Sequence, residues 1–181
     1  MLRIATEAAG RPVRLYCRGY SPTTGARAVE PPGRQSLRVG RRSLPGHFYH
    51  ITMVTKVREP LFIKYEKASA ACRAFLLPVI CRCCTTQAYV VMPDHVHWLL
   101  HLHDDLSKTV RLYKSHVSLA LGNRIWEDGY HDHGLRQEED IRRIARYIVA
   151  NPLRAGLVED VRLYPYWDAI GLSADNSRLI N

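Results

Sequence analysis

Two histidines one residue apart, His95 and His97, and a tyrosine four residues before an asparagine, Tyr147 and Asn151, are the groups whose spacing allows chemistry. Alternate side chains of an extended strand share a face, so the two imidazoles are neighbours, ~6.5 Å apart along the backbone and able to converge on one cation. A strand histidine can equally be satisfied by polar neighbours. Val90-Val91-Met92 before the pair and Trp98-Leu99-Leu100 after it place the pair in the interior. Two unpaired imidazoles are costly there, which favours a ligand role. Neutral imidazole suits many divalent metals and selects none. His101 and His103 continue the same face toward the strand end and are read as solvated.

At ~100° per residue, Ile141, Ile144, Ala145, Ile148 and Val149 form the apolar stripe of a helix, with Asp140, Arg143, Tyr147 and Asn151 along its edge. Tyr147 and Asn151 therefore stack on one face. A phenol titrates near pH ~10 and becomes a nucleophile only when a metal or base promotes the phenolate. The same metal can polarise a phosphodiester, and an Asn amide oxygen can serve as a third ligand. Plainer readings stand beside these: Tyr147 as a half-buried aromatic with its hydroxyl in water, Asn151 as a residue suited to a helix C-terminus.

Apolar periodicity predicts the elements that position these groups. Alternation of β-formers predicts a strand over 47–55. A helix follows from Pro60 to about Pro78, with the stripe Phe62, Tyr65, Ala68, Cys72, Phe75 and Leu76. Strands over about 87–92 and 95–103, joined tightly at Pro93-Asp94, suggest an antiparallel pair. Asp105 can cap a helix with the stripe Leu106, Val110, Tyr113, Val117 and Leu121. Its second face, Lys108, Arg111, Lys114 and Ser118, is either solvated or in contact with phosphates. A short strand or loop lies around 126–135. The tyrosine helix runs from about 137, with Glu138, Glu139 and Asp140 in its first turn, to Asn151, where Pro152 ends it. Strand, helix, strand, strand, helix, strand is the split β-α-β ferredoxin-like pattern. The expected class is α+β, a two-layer sandwich on an antiparallel sheet with the tyrosine helix added C-terminally.

The 181 residues suit one domain and carry a formal charge of +9. Residues 1–46 hold nine Arg, no Lys and only Glu7 and Glu30 as acids, a net of +7, leaving +2 for the remainder. Most of the electrostatic case for a nucleic-acid partner thus rests on a basic arm. That arm, 1–45, is rich in Arg, Gly and Pro and is expected to be disordered; the domain is expected over 46–168 and a short tail over 169–181. The five cysteines, Cys17, Cys72, Cys81, Cys83 and Cys84, are odd in number and bunched, which argues against a disulfide framework and for a reducing cytoplasm. Cys81-Arg82-Cys83-Cys84 lacks the second pair of a structural zinc site. No apolar run reaches the ~20 residues of a membrane span.

Five ordered blocks are Pro45-Gly46-His47-Phe48-Tyr49-His50-Ile51-Thr52, Arg58-Glu59-Pro60-Leu61-Phe62, Ala88-Tyr89-Val90-Val91-Met92-Pro93-Asp94-His95-Val96-His97, Trp126-Glu127-Asp128-Gly129-Tyr130-His131-Asp132-His133, and Arg146-Tyr147-Ile148-Val149-Ala150-Asn151-Pro152-Leu153-Arg154-Ala155-Gly156-Leu157-Val158. Together they resemble the REP-associated tyrosine transposases, single-domain relatives of the small HUH single-tyrosine insertion-sequence transposases. The resemblance implies that His95 and His97 are metal ligands, for Mg2+ or Mn2+, and that Asn151 is a polar third ligand. It implies that Tyr147 becomes joined to a 5′ phosphate of single-stranded DNA beside a palindromic hairpin, releasing a 3′ hydroxyl. Lys108, Arg111, Lys114, Tyr130, His131, His133, Arg143 and Arg154 are the candidate DNA contacts; Tyr130, His131 or His133 could also compete with Asn151 as a ligand. The implied protein is cytoplasmic, a monomer or homodimer. The long basic arm before Pro45, and the short segment after Trp167 that lacks a basic tail, depart from the pattern. A hairpin-binding descendant without cleavage is the alternative. A histidine-triad phosphohydrolase is disfavoured, because Leu99 stands where its third histidine belongs.

Overall fold

Strict alternation along Phe48–Val54 makes β1, with Tyr49, Ile51 and Met53 buried on one side. In the computed structural model, which describes residues 43–135 and 141–170, β1 pairs antiparallel with β3, His95–Leu102, in the register Thr52↔His97 and His50↔Leu99. β3 pairs in turn with β2, Cys84–Val91. β4, His131–Gly134, closes the other side of β1. The sheet order is β4-β1-β3-β2-β5, where β5 is Trp167–Ala169. The first four strands realise the expected ferredoxin-like order in an antiparallel sheet; β5, too short to show alternation, extends it. The arm expected over 1–45, apart from residues 43–45, and most of the tail lie outside the described residues. Ser43 and Leu44 already belong to the fold: Ser43 Oγ donates to Asp105 Oδ2 at 3.1 Å, and the Leu44 N–H donates to Tyr49 Oη at 2.9 Å.

The helix predicted from Pro60 to Pro78 is broken. Leu61–Ile63 is a 3-10 turn, α1 spans Tyr65–Ala74, and α2 spans Pro78–Cys83. Two breaks are visible. Lys64 is extended, with ψ 124°, and separates the 3-10 turn from α1, while the Phe62 N–H donates to Pro93 O at 2.9 Å. Leu77 is extended, as the residue before a proline prefers. Tyr65, assigned to the apolar stripe, is exposed, whereas Ala68 and Phe75 are buried as expected. Strand β2 starts three residues before its predicted onset and carries a register shift between Thr86 and Ala88. Gln87 O, at that bulge, accepts the Ile170 N–H at 2.8 Å.

The helix α3, Leu106–Leu121, matches its prediction: Asp105 accepts the Lys108 N–H, and Gly122 ends the helix at φ +72°, the left-handed position where glycine costs least. Contacts of Phe75 with Tyr89 and Trp98, and of Trp98 with Tyr113, seat α1 and α3 on the sheet face opposite the histidines. Trp98 is fully buried and donates from Nε1 to Thr86 Oγ1 at 3.1 Å. Trp98→Ala is expected to cost about 3–5 kcal/mol, read from urea unfolding. A loss below ~1 kcal/mol would show that this aromatic cluster does not hold the helical layer to the sheet.

The helix α4, Ile141–Val149, packs on β2, β3 and β5 and buries Ala145, Ile148 and Val149. The side chains sharing the His97 face there, Ala88, Val90 and Leu99, are fully buried, so α4 covers that half of the histidine face. The predicted start at Gln137 and the acidic first turn lie outside the described residues. Pro152 does not end the path but begins a further turn, α5, Asn151–Arg154; its fixed φ and missing N–H suit a first helical turn. Among the described residues no helix is long and apolar enough to cross a membrane.

Candidate active site

On β3, His95 and His97 stand side by side with ring centroids 4.8 Å apart and planes at 89°. Each has a different partner behind it. His95 Nδ1 lies 2.6 Å from Asp94 Oδ1, and Asp94 Oδ2 accepts Arg58 Nη1 at 3.1 Å. A carboxylate only accepts, so the proton of this contact is on His95 Nδ1, and in the neutral ring the lone pair falls on Nε2. Burial works against the charge of Asp94, yet hydrogen bonds and charges from His95 and Arg58 outweigh it and hold the carboxyl below the usual range. His97 Nδ1 lies 3.0 Å from Thr52 Oγ1 and 3.2 Å from His50 Nε2. Burial, with neighbouring His95 and His50, pushes His97 down to about 3, so its ring is neutral at physiological pH. Burial, then His133, lowers His50 as well.

This donor chemistry fits a divalent cation: ligating histidines commonly use the other ring nitrogen on a carboxylate, carbonyl or hydroxyl. Among the described residues no group of three or more His, Cys, Asp or Glu is arranged to hold a metal. A cation at His95 and His97 would therefore need amide, water or phosphate oxygens to complete its shell. Three cysteines of the described residues have separate acceptors: Cys81 Sγ lies 3.6 Å from Phe75 O, Cys83 Sγ 3.8 Å from Asp104 Oδ2, and Cys84 Sγ 3.6 Å from Ile80 O.

The tyrosine helix shares this face. Tyr147 is 46% exposed, and the Arg154 guanidinium sits over its ring, 4.8 Å from the centroid. Asn151 Nδ2 donates to Tyr147 O at 3.0 Å and to Ile148 O at 3.1 Å. Pro152 has no N–H for the Ile148 carbonyl, and the Asn151 amide substitutes for it. The amide nitrogen thus performs the helix-end role, leaving Oδ1 as the acceptor. Arg143 is exposed on the same helix.

Four other candidates lie elsewhere. Lys108 is paired with Asp104 at 2.6 Å. Lys114 Nζ donates to Glu127 O at 2.6 Å and Gly129 O at 2.7 Å, so it ties down the loop into β4. Arg111, Lys114 and Tyr130 line an open pocket of about 420 Å³ between α3 and that loop, and Tyr130 Oη lies 3.0 Å from Ser107 Oγ. His131 and His133 pair with Thr52 and His50 across β1 and β4, which places them on the His97 face. Sequence reasoning assigned no role to His50, Thr52, Asp94 or Arg58. The available signal was the shared parity of His50 and Thr52 on β1, which acquires meaning only once the β1–β3 register is known.

The family model for IS200-like transposases matches residues 43–151, from the first described residue through Asn151. The chain belongs to the IS200-like transposase family. Within that family it is 34% identical over 83 residues to a REP-associated tyrosine transposase of Escherichia coli (strain K12), covering 44% of this chain and 50% of the relative. A putative REP-associated tyrosine transposase of Haemophilus influenzae (strain ATCC 51907 / DSM 11121 / KW20 / Rd) is 28% identical over 99 residues, covering 45% of this chain and 56% of the relative. The chain spans about half the length of these curated relatives. The solved structure of a REP-associated tyrosine transposase bound to a REP hairpin superposes with a TM-score of 0.59 at 26% identity, over 70% of this chain and 79% of that one. The IS200-like fold is therefore shared across most of the described residues.

Proposed function

We propose that this IS200-like chain nicks single-stranded DNA beside a hairpin and transfers the strand through a covalent tyrosyl intermediate. The observation that carries it is the His95/His97 pair on a sheet face shared with the Tyr147 helix. His95, His97 and the Asn151 amide oxygen would hold Mg2+ or Mn2+. Such a cation, when bound, polarises the phosphodiester and stabilises charge developing on its oxygens. Tyr147 Oη loses its proton to solvent and forms a bond to phosphorus; the bond from phosphorus to the 3′ oxygen breaks, and that oxygen takes a proton to leave as a 3′ hydroxyl. The 5′ phosphate stays on Tyr147, conserving the ester for later transfer to another 3′ hydroxyl without ATP. Arg154, over the phenol ring, offers a cation to the phosphate. Arg143, His131, His133 and Arg111 are the further DNA contacts, and Lys114 supports the loop that carries Tyr130. Hairpin DNA as substrate is supported by the REP hairpin bound to the structural relative. The site of action is the cytoplasm.

The test is a hairpin-bearing single strand labelled at its 3′ end and incubated with the chain and Mn2+. A labelled band that migrates with protein after denaturation, lost on adding chelator, is the expected outcome. Hairpin binding without any such band would favour a binding protein that has no cleavage activity.

A further inference from the structure

After β1 the chain turns through a conformation that ordinary residues avoid. Val57 lies at φ +48° and Arg58 at φ +53°. Left-handed backbone is uncommon for any non-glycine residue and a genuine outlier for a β-branched one, and it persists only where the surroundings over-determine it. Here they do. The Thr55 N–H and Oγ1 both bond Asp94 O, at 2.9 and 2.8 Å, Thr55 Oγ1 also reaches Glu59 O at 2.8 Å, and the Lys56 N–H donates to Ile125 O at 2.8 Å. Burying Val57 is not the purpose, because its side chain is 90% exposed. What the turn delivers is Arg58. Its side chain is 64% exposed, yet it reaches the Asp94 carboxylate, 7% exposed, whose other oxygen meets His95.

We propose that Arg58 is a positioning residue for the His95 cation site: through Asp94 it fixes the imidazole so that Nε2 faces a divalent cation, and the strained Val57–Arg58 turn places it there. This rests on the reading of His95 as a cation ligand. Arg58 on Oδ2 opposes rotation of the other carboxylate oxygen away from His95 Nδ1. Two effects of Arg58 oppose each other. Its positive charge repels a nearby cation, whereas the orientation it imposes favours one. Outer partners of ligating histidines typically contribute ~10–100-fold in metal affinity, so orientation outweighs the repulsion of a largely solvated guanidinium.

Titration of Mn2+ into the full chain by calorimetry, with long-range proton–nitrogen spectra of the metal-free histidine rings, tests this. Arg58→Ala is expected to weaken Mn2+ binding ~10-fold and to blur the single His95 tautomer into an average. Arg58→Gly removes the guanidinium and the backbone strain together, so misfolding cannot mimic the effect; it should match Arg58→Ala. Val57→Gly keeps Arg58 and should bind as the unaltered chain does. Binding by Arg58→Gly as tight as or tighter than that of the unaltered chain, with unchanged ring spectra, overturns the proposal alone. An unaltered chain that takes up no Mn2+ overturns the cation site and this proposal with it.

Discussion

Tyr147→Phe is expected to abolish the protein–DNA adduct and to lower cleavage by ~10³-fold or more, the scale seen when a covalent nucleophile is removed. The substitution deletes one oxygen from a side chain already 46% exposed. The ring stays, and with it the Arg154 contact, which depends on the π-face and not on the hydroxyl. The bonds from Asn151 run to main-chain carbonyls and are also unaffected. Stability should therefore change by no more than ~0.5 kcal/mol, and hairpin affinity by less than ~3-fold. Denaturing gels, thermal melts and binding titrations on one preparation separate these quantities. An adduct of undiminished yield would move the nucleophile to another of the ten tyrosines. Tyr89, Tyr113 and Tyr164 are the least suited, since burial raises all three phenols further.

His97→Ala is the second large effect. The ring is buried, uncharged above about pH 3, and set against Thr52 and His50 through Nδ1. Its loss should reduce metal-supported cleavage ~10³-fold or more, because one remaining imidazole cannot define the site. A ligand that binds only the folded state stabilises by about 2.7 kcal/mol at a hundred times its Kd, so excess Mn2+ should raise the melting temperature of the unaltered chain and leave that of His97→Ala unmoved. Without metal, the variant loses a ring and leaves Thr52 and His50 facing a small void, a cost of about 1–3 kcal/mol. If Mn2+ raised both melting temperatures equally, His97 would not be a ligand.

Much of this was legible in the residues, and the failures have local causes. The β3 face was readable because a strand has a period of two, so parity alone put His95 and His97 together and Val96, Trp98 and Leu100 on the other side. The Asp105 cap and the α3 stripe were readable for the same kind of reason: both depend on neighbours within four residues. The helix through 60–78 was misread because Lys64 and Leu77 are both extended, which divides the segment into a 3-10 turn and two separate helices. Pro152 was read as a stop from the bias it places on the residue before it, yet Asn151 opens a further turn, and its amide takes the Ile148 carbonyl that Pro152 cannot reach.

The site divides along the same line. His95 and His97 could be named from spacing within one strand, and Tyr147 and Asn151 from a four-residue spacing that bridges the end of α4 and the start of α5. That Thr52 and His50 stand behind His97 follows from the Thr52↔His97 register, and a shift of one residue would have turned them to the other face. That Arg58 and Asp94 stand behind His95 follows from a turn held against its own backbone preference. That α4 lies on the histidine face follows from the packing of Ala145, Ile148 and Val149 against β2 and β3. Short-range periodicity is written along the chain. Which faces meet depends on contacts between residues far apart in sequence, and for those only the folded chain carries the information.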